Sequence, residues 1–145
     1  MEHLAVLPDL AFRGDGPIGL LIADDDPALR SLVAARAREI VESLVVSEAA
    51  DGAEAIQVAL QQRPRIALLD CKMPLLDGIG VALVLRELLP GLRLALHTAD
   101  PAAYSDSARE LCLPLFDKLD PEHALRWLER QARSGTPTAP LVSRR

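Results

Sequence analysis

Aromatic side chains are nearly missing from this chain: one Trp, one Tyr and two Phe make up 3% of 145 residues. A base-stacking platform or an aromatic ligand cage therefore has almost no material, and any core must be aliphatic. Cysteine is scarce as well. Cys71 and Cys112 have 40 residues between them and no paired cysteine-histidine spacing. Neither a disulfide framework nor a zinc site is indicated, and both read as reduced thiols. No apolar run reaches the roughly 18 to 20 residues that a membrane span needs. Glu2, His3 and Asp9 stand where a signal peptide would carry basic charge, so a cytoplasmic protein without membrane contact is expected. Excess positive charge is also lacking, with sixteen basic residues against twenty-one acidic and a net charge of −5. That balance is a weak basis for attraction to nucleic acid phosphates or anionic lipid, and no direct nucleic-acid partner is expected.

What is present suffices for one folded domain. Half the residues are hydrophobic and 26% are charged, which is ordinary for a chain that buries a core. Residues 1–18 mix apolar and turn-forming residues up to the breaker cluster Gly14-Asp15-Gly16-Pro17, and read as an N-terminal arm. The domain itself is expected over 19–132. Residues 133–145, rich in small residues and proline, read as a flexible tail with no output domain beyond it.

Within the domain the pattern alternates. Gly19-Leu20-Leu21-Ile22-Ala23 is a short continuous apolar run, as in a parallel strand buried on both faces, and it stops at Asp24-Asp25-Asp26. Asp26-Pro27 then opens a helix with an N-cap and a first-turn proline, and the same pair recurs at Asp100-Pro101 and Asp120-Pro121. Further strands are predicted near 44–47, 66–69, 92–96 and 113–116, with helices over 53–62, 78–89, 101–112 and 121–132. Five strands alternating with five helices make a doubly wound α/β fold, a parallel sheet with helices on both faces.

In such a sheet ligands bind beyond the carboxyl ends of the strands. The residues there are Asp24 and Asp25, Asp70, Thr98 and Lys118. Converging carboxylates repel one another unless a hard divalent cation such as Mg²⁺ lies between them. A lysine and a hydroxyl at the same edge suit the oxygens of a phosphoryl group. A carboxylate can attack phosphorus when metal and lysine offset the incoming charge, and Asp70, at the end of a rigid apolar strand, is the candidate nucleophile.

The segments Leu21-Ile22-Ala23-Asp24-Asp25-Asp26, Leu68 to Gly78, His97-Thr98-Ala99 and Phe116-Asp117-Lys118 closely resemble the receiver domain of two-component response regulators. The resemblance covers about Gly19 to Ala132 and implies the flavodoxin-like strand order 2-1-3-4-5. It implies that Asp70 accepts a phosphoryl group from a histidine kinase or phosphotransfer protein, and that Asp25 ligates Mg²⁺ directly. Asp24 would act through water, and the backbone carbonyl of Lys72 would complete the protein ligands. Lys118 would pair with the phosphoryl group, while Thr98 would move to hydrogen-bond it. The module would signal to an unidentified downstream protein, alone or as a homodimer, and would assist its own phosphorylation and dephosphorylation without being an enzyme.

Three features depart from the family pattern. Leu115 stands where an aromatic is usual, with Phe116 one place off. Leu119 follows the lysine where proline in a cis peptide is usual, and a trans bond there would re-aim Lys118. Thr98 and Lys118 are 20 positions apart, about two fewer than the family spacing, so the fourth helix would be short or displaced. Lys72 and Asp100 occupy positions that vary in the family and influence dephosphorylation, and an ion pair between them would slow water entry. Two other readings remain at this stage. One is a pseudo-receiver that binds a partner without phosphorylation. The other is a haloacid-dehalogenase-like phosphatase using Asp24 and Asp26 as an Asp-x-Asp pair. His97 reads as a structural strand-end residue, Cys71 as a small packing residue, and His3 and His123 as surface positions.

Overall fold

The computed structural model describes residues 16–134, so residues 1–15 of the arm expected over 1–18 and residues 135–145 of the tail expected over 133–145 lie outside the described residues. The elements run β1 (Ile18–Ala23), α1 (Pro27–Ile40), β2 (Leu44–Ala49), α2 (Gly52–Gln62), β3 (Ile66–Asp70), α3 (Gly78–Leu88), β4 (Arg93–Thr98), α4 (Pro101–Leu111), β5 (Leu115–Asp117) and α5 (Pro121–Arg133). All four strand pairings are parallel and the order is β2-β1-β3-β4-β5, the doubly wound arrangement that the alternating pattern requires. No helix among the described residues is long and apolar enough to cross a membrane.

The continuous apolar runs follow from burial on both faces. Every residue of β3 is buried, and alternate side chains feed two cores. Leu21, Leu69, Leu94 and Leu96 pack with Val81 and Leu85 of α3 on one face. Leu20, Ile22 and Leu68 pack with Val33 of α1 and Leu125, Trp127 and Leu128 of α5 on the other. Two leucine-rich layers thus clamp the central strands and leave their carboxyl ends rigid. In α1 the buried stripe is Val33, Ala34 and Ala37, whereas Leu32 and Ile40 are exposed.

The three Asp-Pro helix starts are not equivalent. Asp26 caps α1 through its side chain, accepting from the amides of Ala28 at 3.0 Å and Leu29 at 3.3 Å. Asp100 and Asp120 make no side-chain cap. The Asp100 amide instead donates to Thr98 Oγ1, and the Asp120 carboxylate pairs with exposed His123. Strand β5 starts two residues later than the pattern predicts. Cys112 closes α4 in a left-handed conformation (φ 56°), and the Leu113 amide is drawn back to the Ala108 carbonyl. Pro114 has no N–H to give, and its carbonyl accepts from Leu96.

The turn from β3 into α3 is tight because Gly78 folds against the strand end. Its amide donates to the Cys71 carbonyl, and a Cβ at this position would lie 2.3 Å from the Asp70 carbonyl oxygen. Gly78→Ala is expected to destabilise the protein by about 1–3 kcal/mol, because backbone rather than a flexible side chain must yield. Urea unfolding of the two proteins measures it, and equal midpoints would show that the turn relaxes freely.

Candidate functional site

Strands β1, β3, β4 and β5 end side by side and deliver their terminal residues to one spot. Asp24 and Asp70 are buried and Asp25 is exposed, and their carboxylate oxygens lie within 4.8 Å of one another. Lys118 reaches in from the end of β5, with Nζ 2.8 Å from Asp24 Oδ2 and 3.0 Å from Asp70 Oδ2. The remaining oxygens are held by backbone: Asp24 Oδ1 accepts from the Asp26 amide at 2.9 Å and Asp70 Oδ1 from the Lys72 amide at 3.2 Å. Three carboxylates and one ammonium make an oxygen-rich, net-negative pocket whose donor set suits a hard divalent cation.

The geometry corrects or refines several expectations. The peptide bonds of the described residues are all trans, including Lys118-Leu119, yet Lys118 is not re-aimed and reaches both buried carboxylates. Lys72 and Asp100 form no ion pair among the described residues, and both side chains are exposed. Asp26 is spent on capping α1, so Asp24 and Asp26 do not form a converging pair, which removes the basis of the dehalogenase-like reading. Thr98 is buried at the end of β4, with Oγ1 accepting from the Asp100 amide at 3.1 Å. Helix α4 has 11 residues, as many as α2 and α3, so the short spacing before Lys118 does not shorten it.

The electrostatics follow from burial. Desolvation, with Asp24 beside it, pushes the Asp70 carboxyl up to about 6, although Lys118 pulls the other way. Burial disfavours the Lys118 ammonium, but its contacts with Asp24 and Asp70 outweigh that and raise its pKa above the ordinary lysine value. The Cys71 thiol, buried beside Asp70, is pushed up to about 12, which makes it a packing group rather than a reactive thiolate.

Two residues near the site carried no functional signal in the sequence. Arg30 of α1 donates to the Asp24 carbonyl at 2.6 Å and to Glu48 of β2 at 2.8 Å, bracing the β1 end from behind. It lies one helical turn beyond Asp26, a spacing that could have suggested it. His97 is 3% exposed and its Nε2 has no hydrogen-bond partner. Burial, then the Lys118 charge, lowers its pKa to about 4. Because the folded value lies below the ordinary 6.5, the folded state resists protonation. Stability from neutral His97 is complete above pH 6.5 and is lost as pH falls towards 4. Across that window the wild type is expected to lose on the order of 2 kcal/mol relative to His97→Val. Denaturant melts of both proteins at several pH values give the difference, and a flat one would refute it.

Comparison with known proteins agrees with this geometry. The model of the response regulator receiver domain matches residues 20–110. TcrX, a transcriptional regulatory protein of Mycobacterium tuberculosis, is 38% identical over 91 residues, covering 62% of this chain and 38% of its own length. A protein-glutamate methylesterase/protein-glutamine glutaminase of Myxococcus xanthus is 38% identical over 63 residues, covering 43% of this chain and 18% of its own. The chain thus spans less than half the length of these curated relatives. Among solved structures, the signal receiver domain of a NarL response regulator from Mycobacterium tuberculosis superposes with a TM-score of 0.62 at 28% identity, covering 79% of this chain and 98% of that one. The REC domain of AraT from Geobacillus stearothermophilus gives 0.63 at 26% identity, covering 81% and 96%. Strand ends that gather three aspartates and a lysine on a sheet of order 2-1-3-4-5, together with the family-model match over residues 20–110, make this chain a member of the response regulator receiver domain family.

Proposed function

We propose that this chain is a phosphorylation-switched module of a two-component or phosphorelay system, with Asp70 as the phosphoacceptor. The observation that carries the reading is the buried ion pair that Lys118 makes with Asp70 and Asp24 at the sheet edge. Asp70 has one carboxylate oxygen held by the Lys72 amide and the other facing Lys118. With a pKa pushed up to about 6, it is largely ionised at neutral pH and more basic than an ordinary aspartate, which favours attack on phosphorus.

Asp24, Asp25 and Asp70, with the backbone carbonyl of Lys72, would hold Mg²⁺. A bound Mg²⁺ would offset charge on the phosphoryl oxygens. The chain's own residues do the remainder. Lys118 balances negative charge beside Asp70, Arg30 keeps the β1 end in place, and Thr98 offers a hydroxyl that would leave the Asp100 amide to meet the phosphoryl group. The donor would be a histidine kinase or a histidine phosphotransfer protein, and the phosphorylated face would signal to a downstream protein. Residues 19–132 would be the functional unit, and no turnover of an external substrate is proposed.

Acetyl phosphate with Mg²⁺ tests the reading by intact mass. One added phosphoryl group that requires Mg²⁺ is expected. No addition under conditions that label an ordinary receiver would favour constitutive partner binding without phosphorylation.

A further inference from the structure

Lys118 reaches Asp24 and Asp70 through a trans bond to Leu119, so something other than peptide geometry must direct it. Its own amide donates to the Thr98 carbonyl at 2.9 Å, which fixes where the backbone leaves β5. The direction it then takes is set by the residue before it. Asp117 Oδ1 accepts from the Leu119 amide at 2.9 Å, and the Asp117 carbonyl accepts from the Asp120 amide at 3.0 Å. A carboxylate bonding the amide two residues on is an Asx turn, and here it encloses Lys118. The turn exists because residue 119 carries an N–H, which a proline would lack.

From this geometry we propose that Asp117 is a positioning residue for the phosphoacceptor site, holding Lys118 on Asp70 and Asp24 through the Asx turn to Leu119. The inference rests on the reading of Asp70 as phosphoacceptor for its consequence, but the placement of Lys118 can be tested independently. Without the Asx bond, the turn keeps its backbone bonds and the Asp120–His123 pair, neither of which orients residue 118, and the lysine side chain samples orientations that leave both carboxylates. Leu119 itself is 83% exposed, so its side chain does not hold the turn.

The chain has only two lysines, and exposed Lys72 serves as an internal reference for Lys118. Brief acetylation of the full chain with an amine-reactive ester, followed by peptide mass mapping, gives the ratio of modification at the two. In the wild type Lys118 is protected. Asp117→Ala is expected to raise Lys118 modification relative to Lys72 several-fold, because a lysine that leaves the two carboxylates becomes exposed to the reagent as Lys72 is. Asp117→Asn keeps an acceptor oxygen and is expected to restore the wild-type ratio, which a role for the Asp117 charge would not do. Labelling by acetyl phosphate should fall in the Ala variant and recover in Asn. Unchanged protection of Lys118 in Asp117→Ala would overturn the proposal. Loss of protection in Asp117→Asn would overturn it too, whether or not the Ala variant folds. If no protein takes up a phosphoryl group while the acetylation ratios follow the expected order, the phosphoacceptor reading fails and the role of Asp117 in placing Lys118 stands.

Discussion

Asp70→Asn is expected to take up no phosphoryl group from acetyl phosphate at saturating Mg²⁺, while folding as the wild type does. The amide has the same shape, and its oxygen still accepts from the Lys72 amide, so the β3 end keeps its place. It is not a nucleophile at neutral pH, and neither of the buried groups beside it can replace it. Asp24 is committed to the Asp26 amide and Lys118, and the Cys71 thiol stays protonated. The same substitution changes stability with a sign that burial dictates. The folded-state pKa of Asp70 is raised, so the wild-type carboxyl contributes most below about 3.8, and the contribution is lost as pH rises through about 6. Metal-free Asp70→Asn should therefore be more stable than wild type at pH 7, by about 1 kcal/mol, and lose that advantage near pH 4. Intact mass and chemical melts at the two pH values check both halves. Residual Mg²⁺-dependent phosphorylation of the Asn variant would move the phosphoacceptor elsewhere.

The strand ends were legible in the sequence because a parallel strand buried on both faces reads as an uninterrupted apolar run, and the first charged residue after it marks the sheet edge. Leu20 to Ala23 and Ile66 to Leu69 behave this way, which is why the pattern alone places Asp24 and Asp70 together. The edges of the sheet were less legible. β5 has three residues and no fully buried side chain, so its start was read two residues early, in a segment that the left-handed Cys112 uses to end α4. The contacts that tune the site were not visible at all. Asp117 reads as one more acidic residue, Arg30 as one of fourteen arginines, and His97 as a strand end. Arg30 and His97 acquire their roles from a hydrogen bond and a burial that depend on how separate elements meet, whereas Asp117 makes a local turn whose consequence depends on where Lys118 points. The ion pair between Lys72 and Asp100 shows the converse limit: equal offsets from two strand ends do not make two exposed side chains converge.

Lys118→Ala is the second large effect expected, and it should separate metal holding from phosphoryl transfer. Removing the ammonium leaves Asp24 and Asp70, with side chains 3% and 5% exposed, facing each other without a counter-charge. Their mutual repulsion then makes a divalent cation more welcome, so Mg²⁺ affinity should rise, seen as a larger thermal shift at a given Mg²⁺ concentration. Transfer should move the opposite way. A fixed cation beside a buried reacting carboxylate is worth about 3 kcal/mol, so labelling by acetyl phosphate should slow by at least about a hundredfold. Lys118→Arg should not recover the rate, because a planar guanidinium fork on a longer stem cannot take the compact position between Asp24 Oδ2 and Asp70 Oδ2. Labelling time courses and Mg²⁺ titrations on the same preparations decide it. If both quantities fell together in Lys118→Ala, the lysine would be acting as a structural prop for the acidic pocket, and the charge stabilising the incoming phosphoryl group would have to be sought in Arg30 or at the mouth of the site.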